Sequence, residues 1–227
     1  MKKAITLEPR RTALLLVDFQ EEQRQHPSVA VEGFETVMAN ARKLLLSARA
    51  RKIHVFHSAY RRDFDLCPPR PFEPLTADGA PAFSDKTSPL TAICKEVVPI
   101  NGERVIFKND ASAFSEGSLQ PAMRKAEIEW VIIAGVWTEA CVAASVRDAM
   151  AAGFRVLLVK DACGSGTETM HQTAVLNIAN RLYGGAVTGA ATALKLMSGD
   201  EADVWVLERP AQIRFTYSDA AELYSSL

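Results

Sequence analysis

The run Ala13-Leu14-Leu15-Leu16-Val17 is continuously apolar and stops at Asp18. A strand with one wet face would alternate apolar and polar residues, so an unbroken run predicts a strand buried on both faces. Such a strand needs one layer above it and another below. Short apolar runs of the same kind recur at residues 53–57, 105–107, 130–134, 156–159 and 185–187. Between them lie stretches with helical spacing. Residues 29–50 put Val37, Ala41, Leu44 and Leu45 on one side, and residues 139–152, 170–183 and 190–197 read as further helices. Strands alternating with helices predict an α/β fold with a mainly parallel six-stranded sheet and helices on both faces.

Two regions break the rhythm. Residues 67–99 hold seven of the eleven prolines and little periodicity, which predicts an irregular insert. Residues 199–227 follow the last helix as a C-terminal extension. Its Trp205, Phe215 and Tyr217 are expected to cover an edge of the domain or a neighbouring subunit. Residues 1–198 therefore read as one domain containing the insert. The basic N-terminus lacks the apolar stretch of a secretory signal, and no apolar run approaches the roughly 20 residues that span a bilayer. A cytoplasmic protein with no membrane partner is expected. With 26 basic and 27 acidic residues the net charge is -1, which gives no support to a nucleic-acid partner. Cys67, Cys94, Cys141 and Cys163 match neither a zinc pattern nor a Cys-x-x-Cys pair, which rules out a disulfide scaffold.

Ligands of an open parallel sheet bind beyond the carboxyl ends of its strands. Past the first strand stand Asp18, Phe19 and Gln20; past the second, His57, Ser58, Tyr60, Arg61 and Arg62. Lys108 follows the third, leading to Phe114, and the fourth runs into Trp137, Thr138 and Cys141. An acid, a lysine and a cysteine thus converge from three strands. Cys141 falls in the first turn of an expected helix, where free N–H groups, the helix dipole and a nearby Lys108 would favour the thiolate. Backbone N–H groups of the same turn could hold an oxyanion, and Asp18 could carry the proton. Two readings of Cys141 stand at this point, a nucleophile or a small apolar side chain in the core. Cys67, Cys94 and Cys163 lack this combination and read as structural, as do His54 and His171, while His26 reads as exposed. His57, Arg61 and Arg62 are candidates for the mouth of a site.

The segment Gly135-Val136-Trp137-Thr138-Glu139-Ala140-Cys141-Val142 after a buried strand resembles the nucleophile segment of the isochorismatase-like cysteine hydrolases. Leu15-Leu16-Val17-Asp18-Phe19-Gln20 is similar to that family's opening Asp-x-Gln strand end, and Lys108 with Ser112-Ala113-Phe114 to its lysine segment. The three segments come in the family's order and cover most of residues 10–198. The resemblance implies a Rossmann-like three-layer α/β/α hydrolase with a catalytic Cys141, Asp18 and Lys108. It further implies a cis peptide at Val136–Trp137 that aims the N–H of Trp137, beside that of Cys141, at an oxyanion. Gln20, His57, Phe114, Trp137 and Thr138 are then expected around the substrate.

Departures from the family pattern narrow the reading. His57-Ser58-Ala59-Tyr60-Arg61 stands where nicotinamidases of this family carry Asp-x-His metal ligands, so no metal and no cofactor are expected. Isochorismatases proper lack the cysteine, so Cys141 points to an amidohydrolase on a small amide, ureide or carbamoyl compound through a thioester. Glu21-Glu22-Gln23-Arg24 replaces an aromatic position, and Trp137 places a large ring where substrate would pass. Two alternatives follow: a non-catalytic binding protein whose Trp137 fills the pocket, and an isochorismate-type vinyl ether hydrolase. The resemblance also implies a homo-oligomer acting on a small molecule.

Overall fold

The computed structural model describes all 227 residues. Its first half contains β1 (Lys2–Ile5), β2 (Thr12–Val17), α1 (Glu22–Gln25), α2 (Phe34–Arg51), β3 (His54–Tyr60), β4 (Arg104–Lys108) and α3 (Leu119–Lys125). Then follow β5 (Trp130–Val136), α4 (Ala143–Ala151), β6 (Arg155–Gly164), α5 (Glu168–Ala179), β7 (Ala186–Thr188), α6 (Ala190–Met197), β8 (Ala202–Trp205) and α7 (Ala220–Ser226). All eight strands join one sheet in the order β1-β8-β7-β6-β5-β2-β3-β4. The six strands β2 to β7 run parallel, and β8 and β1 add an antiparallel edge.

The three-layer α/β class is the one expected, but the sheet has eight strands and not six. The two additional strands have only four residues each, and β1, Lys-Lys-Ala-Ile, is almost wholly exposed. A short strand on a solvated edge needs neither a continuous nor an alternating apolar pattern, so nothing in its composition announces it.

The apolar run of β2 feeds two cores. Leu14 and Leu16 point into one with Met38, Leu44 and Leu45 of α2 and Leu196 of α6. Ala13, Leu15 and Val17 point into the other with Met123 of α3, Val146 of α4 and Val175 of α5. All six residues of β2 are buried, as period-2 side chains between two helical layers must be. Residues 67–99 form turns without long strands or helices, including short 3-10 turns at Pro89–Thr91 and Lys95–Val97. In the C-terminal segment Trp205 is buried in β8, whereas Tyr217 is 90% exposed and covers nothing within the chain. No helix is long and apolar enough to cross a membrane.

Candidate active site

Strand order reverses between β2 and β5: β3 and β4 continue on one side and β6 and β7 on the other. The loops leaving β2 and β5 must therefore part, opening a crevice at their carboxyl ends. Asp18 directly follows β2, Lys108 is the last residue of β4, and Cys141 lies in the wide helical turn Thr138–Val142 between β5 and α4. Gly135 lets β5 close on β2 there. It stands opposite Val17, at φ +154, and a Cβ at that position would lie 2.3 Å from the Val17 carbonyl oxygen. The peptide Val136–Trp137 that follows is cis.

The three expected residues meet. Lys108 Nζ is fully buried, 2.8 Å from Asp18 Oδ2 and 3.4 Å from Cys141 Sγ. Its other hydrogen bonds go to the carbonyls of Asp110 (3.1 Å) and Ala111 (2.7 Å). An ammonium has three protons, and these two carbonyls and the sulfur account for them. The contact with Asp18 is therefore Coulombic, and Oδ2 receives no aligned hydrogen bond. Asp18 Oδ1 accepts from Ser58 Oγ at 2.8 Å. Asp18 holds the left-handed conformation at φ 55, which an aspartate tolerates better than most residues, and its N–H donates to the Ser58 carbonyl. The carboxylate is thus aimed by β3, with one oxygen committed and the other open toward the sulfur.

Electrostatics at the sulfur differ from the expectation of a stabilised thiolate. Burial and the Asp18 charge push the Cys141 thiol up to about 12, and Lys108 offsets this only in part. Cys141 does lie in the first helical turn, Thr138–Val142, which runs directly into α4, but burial and the Asp18 charge prevail at the sulfur. Burial pulls against the charge of Lys108, but Asp18 and Cys141 outweigh it and hold its pKa above the usual lysine value. The thiol therefore rests protonated beside a charged Lys108.

Cys141 and Asp18 open on a cavity of about 370 Å³. Tyr60, Phe83 and Trp137 supply aromatic walls, and Gln23, Ser28 and Ser84 supply polar ones. Trp137 is a wall and not a plug. Its Nε1 donates to Gln23 Oε1 (2.9 Å) and the Val29 carbonyl (3.2 Å), and its ring lies so close to Gly166 that a Cβ there would come within 2.8 Å. The Trp137 N–H has no partner in the protein.

The other residues expected around substrate lie elsewhere. Gln20 is fully buried with its amide spent on the chain: Nε2 donates to the Tyr60 and Thr91 carbonyls and Oε1 accepts from the Tyr60 N–H. His57 is not at a strand end, because β3 continues to Tyr60; it pairs with Glu103 at 3.0 Å, beside Arg49 of α2. Phe114 packs on Phe154 in the core. Thr138 is buried behind the cavity, bonded to the Gly164 carbonyl and His171. Arg61 stacks over Phe107, and Arg62 is sealed against Glu73. The cation on the cavity is Arg70, from the proline-rich insert, which also contributes Phe83 and Ser84. Arg70 carried no signal, since a lone arginine in an aperiodic loop looks like any solvated charge.

Among the acidic and sulfur side chains, Glu21, Cys94 and Glu96 bring donor atoms within 4.8 Å of one another. Arg24 already bonds both carboxylates, so a guanidinium supplies the positive charge there. Cys94 and Cys163 are buried, and burial first among other causes pushes both thiols up to about 12.

A family model described as an isochorismatase domain matches residues 12–192. The chain belongs to the isochorismatase family. It is 32% identical over 188 residues to maleamate amidohydrolase of Pseudomonas putida, covering 79% of this chain and 84% of that one. It is 29% identical over 184 residues to N-carbamoylsarcosine amidase of Arthrobacter, covering 75% and 66%. In three dimensions it resembles a putative isochorismatase-family hydrolase of Chromobacterium violaceum, with a TM-score of 0.71, 25% identity and coverage of 87% and 99%. The matched region begins at β2 and ends in α6, so it contains Asp18, Lys108 and Cys141 but neither β1 nor the C-terminal segment.

Proposed function

We propose that this isochorismatase-family hydrolase of C–N bonds uses Cys141 as nucleophile, Asp18 as proton carrier and Lys108 as the charge that holds both. The observation that carries the reading is the buried Lys108 ammonium set between the Asp18 carboxylate and the Cys141 sulfur at the base of the cavity. Asp18 Oδ2, the oxygen without a donor, takes the thiol proton as sulfur attacks the carbonyl carbon of the substrate. The oxyanion accepts from the N–H groups of Trp137 and Cys141. The C–N bond breaks as Asp18 passes its proton to the leaving nitrogen, so that ammonia or an amine departs and a thioester remains. Water then attacks the thioester, Asp18 takes one of its protons, and that proton returns to sulfur as the acid leaves. The scheme draws only on this chain's own groups.

The cavity supports a small anionic substrate. Its volume suits a small molecule, and Arg70 at its rim suits an anionic one. Arg70 is paired with Asp110 at 3.2 Å, but both side chains are largely exposed. Such a pair is worth about 0–1 kcal/mol, so a substrate carboxylate can take its place. Maleamate and N-carbamoylsarcosine, for which the two relatives are named, both combine an amide-type C–N bond with a carboxylate. The non-catalytic alternative required Trp137 over the sulfur, and Trp137 is tied to the wall by Gln23. The test is ammonia release from a panel of small amides, ureides and carbamoyl acids, with Cys141→Ala as the blank. A Cys141→Ala protein that releases ammonia as fast as the wild type would sink the mechanism.

A further inference from the structure

Thr138 opens the turn that carries Cys141, and its hydroxyl stands at the end of a buried chain of hydrogen bonds. Thr138 Oγ1 lies 2.9 Å from the Gly164 carbonyl and 2.8 Å from His171 Nδ1. A hydroxyl has one proton and a carbonyl can only accept, so that proton goes to Gly164. Thr138 must then accept from His171, which places the imidazole proton on Nδ1. His171 Nε2, 3.1 Å from the Tyr224 hydroxyl, is left as an acceptor, and Tyr224 donates to it. Burial holds the His171 ring far below its ordinary value, at about 4, against a hydrogen bond to the Lys160 carbonyl that raises it, so the ring carries a single proton near pH 7 and the Thr138 geometry favours Nδ1 for it. The two rings meet edge to face at 5.3 Å.

Tyr224 belongs to α7, outside the region shared with the family model. Its segment is tied down by the body of the protein. Lys160 Nζ donates to the Tyr224 carbonyl (2.6 Å), Lys2 Nζ to the Leu227 carbonyl (2.7 Å), and Asn180 exchanges two hydrogen bonds with Ile213. On the other side of the turn Ser145 Oγ donates to the Cys141 carbonyl at 2.7 Å. The turn is thus held at both ends: Thr138 is gripped by Gly164 and by His171 of α5, and His171 in turn is backed by Tyr224 of the C-terminal helix.

We infer that Tyr224 and His171 are positioning residues for Cys141, so that the C-terminal segment, through the Tyr224–His171–Thr138 chain, sets the geometry of the nucleophile. The inference rests on Cys141 being the nucleophile. A neutral buried hydrogen bond of this kind contributes a factor of about 3 to 10. Tyr224→Phe removes only the hydroxyl. It should lower kcat by that factor with KM within twofold, and slow the alkylation of Cys141 by iodoacetamide. In a His171→Ala background the same change should have no further effect, because the link is already cut. Nitrogen-15 NMR of histidine-labelled protein, with His171 assigned by its loss in His171→Ala, should show the Nδ1–H tautomer in the wild type. An Nε2–H tautomer would overturn the chain outright, whether or not the variants fold. So would wild-type kcat and alkylation rates in Tyr224→Phe, or full additivity in the double variant. Alkylation and NMR need no substrate, so an inert amide panel would count against the proposed activity and not against the positioning chain.

Discussion

At the scale of single residues, the sulfur of Cys141 has a cation on one side and a carboxylate on the other. Burial and the carboxylate prevail, and the thiol stays protonated at neutral pH. Removing the Asp18 charge in Asp18→Asn should therefore lower the thiol pKa and speed alkylation by iodoacetamide at pH 8. The same variant should lose nearly all turnover, because it has no base to accept the proton. Faster alkylation with lost turnover separates the two roles of Asp18, and a slower alkylation would show that the sign of its effect is wrong. Arg70 gives a second residue-scale prediction. A charge-assisted hydrogen bond is worth about 1.5–3 kcal/mol, so Arg70→Ala should raise KM for carboxylate-bearing amides by roughly tenfold or more. KM for neutral amides should stay near its wild-type value, and steady-state kinetics on one anionic and one neutral substrate decide it.

At the scale of elements, the proline-rich insert has only two short 3-10 turns of its own, so side chains join a few backbone hydrogen bonds in fastening it over the site. The guanidinium of Arg62 makes two hydrogen bonds to the Glu73 carboxylate, at 2.5 and 2.7 Å, and also reaches Asn109 after β4. The buried carboxylate of Glu22 accepts from the N–H and hydroxyl of Ser84. These two clamps explain how an aperiodic segment can present Arg70 and Phe83 to the cavity. Arg62 is only 1% exposed, so a partner lost there leaves a buried charge uncompensated. Glu73→Gln should cost about 3–5 kcal/mol by analogy with other buried pairs. Limited proteolysis between Leu66 and Phe83 should quicken in that variant, and urea denaturation should report the loss. Unchanged cleavage and stability would mean the insert is held by its turns alone.

At the scale of the whole molecule, buried titrating groups set the pH range of stability. His171 titrates near 4 in the fold because it is buried, and His57 is also lowered by burial, against an ordinary value of 6.5. As pH falls from about 6.5 toward 4 the unfolded chain binds protons that the native one does not, so stability is lost across that window. Below it Glu103 adds to the loss. Burial opposes its ionisation, but Arg49 and His57 hold it down at about 2 against 4.5. On the alkaline side, Cys94, Cys141 and Cys163 keep their protons to about 12 in the fold but lose them from about 9 when unfolded, so stability falls again above pH 9. Tm measured by calorimetry should be highest near pH 7–9 and drop on both sides. A flat Tm between pH 4 and 7 would contradict the buried neutral state of the histidines.

The layered α/β architecture was readable from sequence because it rests on local pattern: β2 is apolar at every position because both its faces meet helices. Asp18, Lys108 and Cys141 were readable for a related reason, since each stands at the end of a strand or within one turn of it, and those ends could be located. Chain order alone could not place residues whose role depends on a distant partner. His57 looked like a strand end until pairing with β2 and β4 extended β3 to Tyr60. Gln20 looked like a binding group until its amide met carbonyls from two other segments. Arg70 and Tyr224 had no periodicity to mark them, and only the folding of the insert and of α7 against the body brought them to the cavity and to His171, which bonds the turn that carries Cys141. The protonation of Cys141 belongs with these. The sequence placed a lysine near the sulfur, but burial and the closeness of Asp18 decide which charge prevails, and both arise only when the three strands come together.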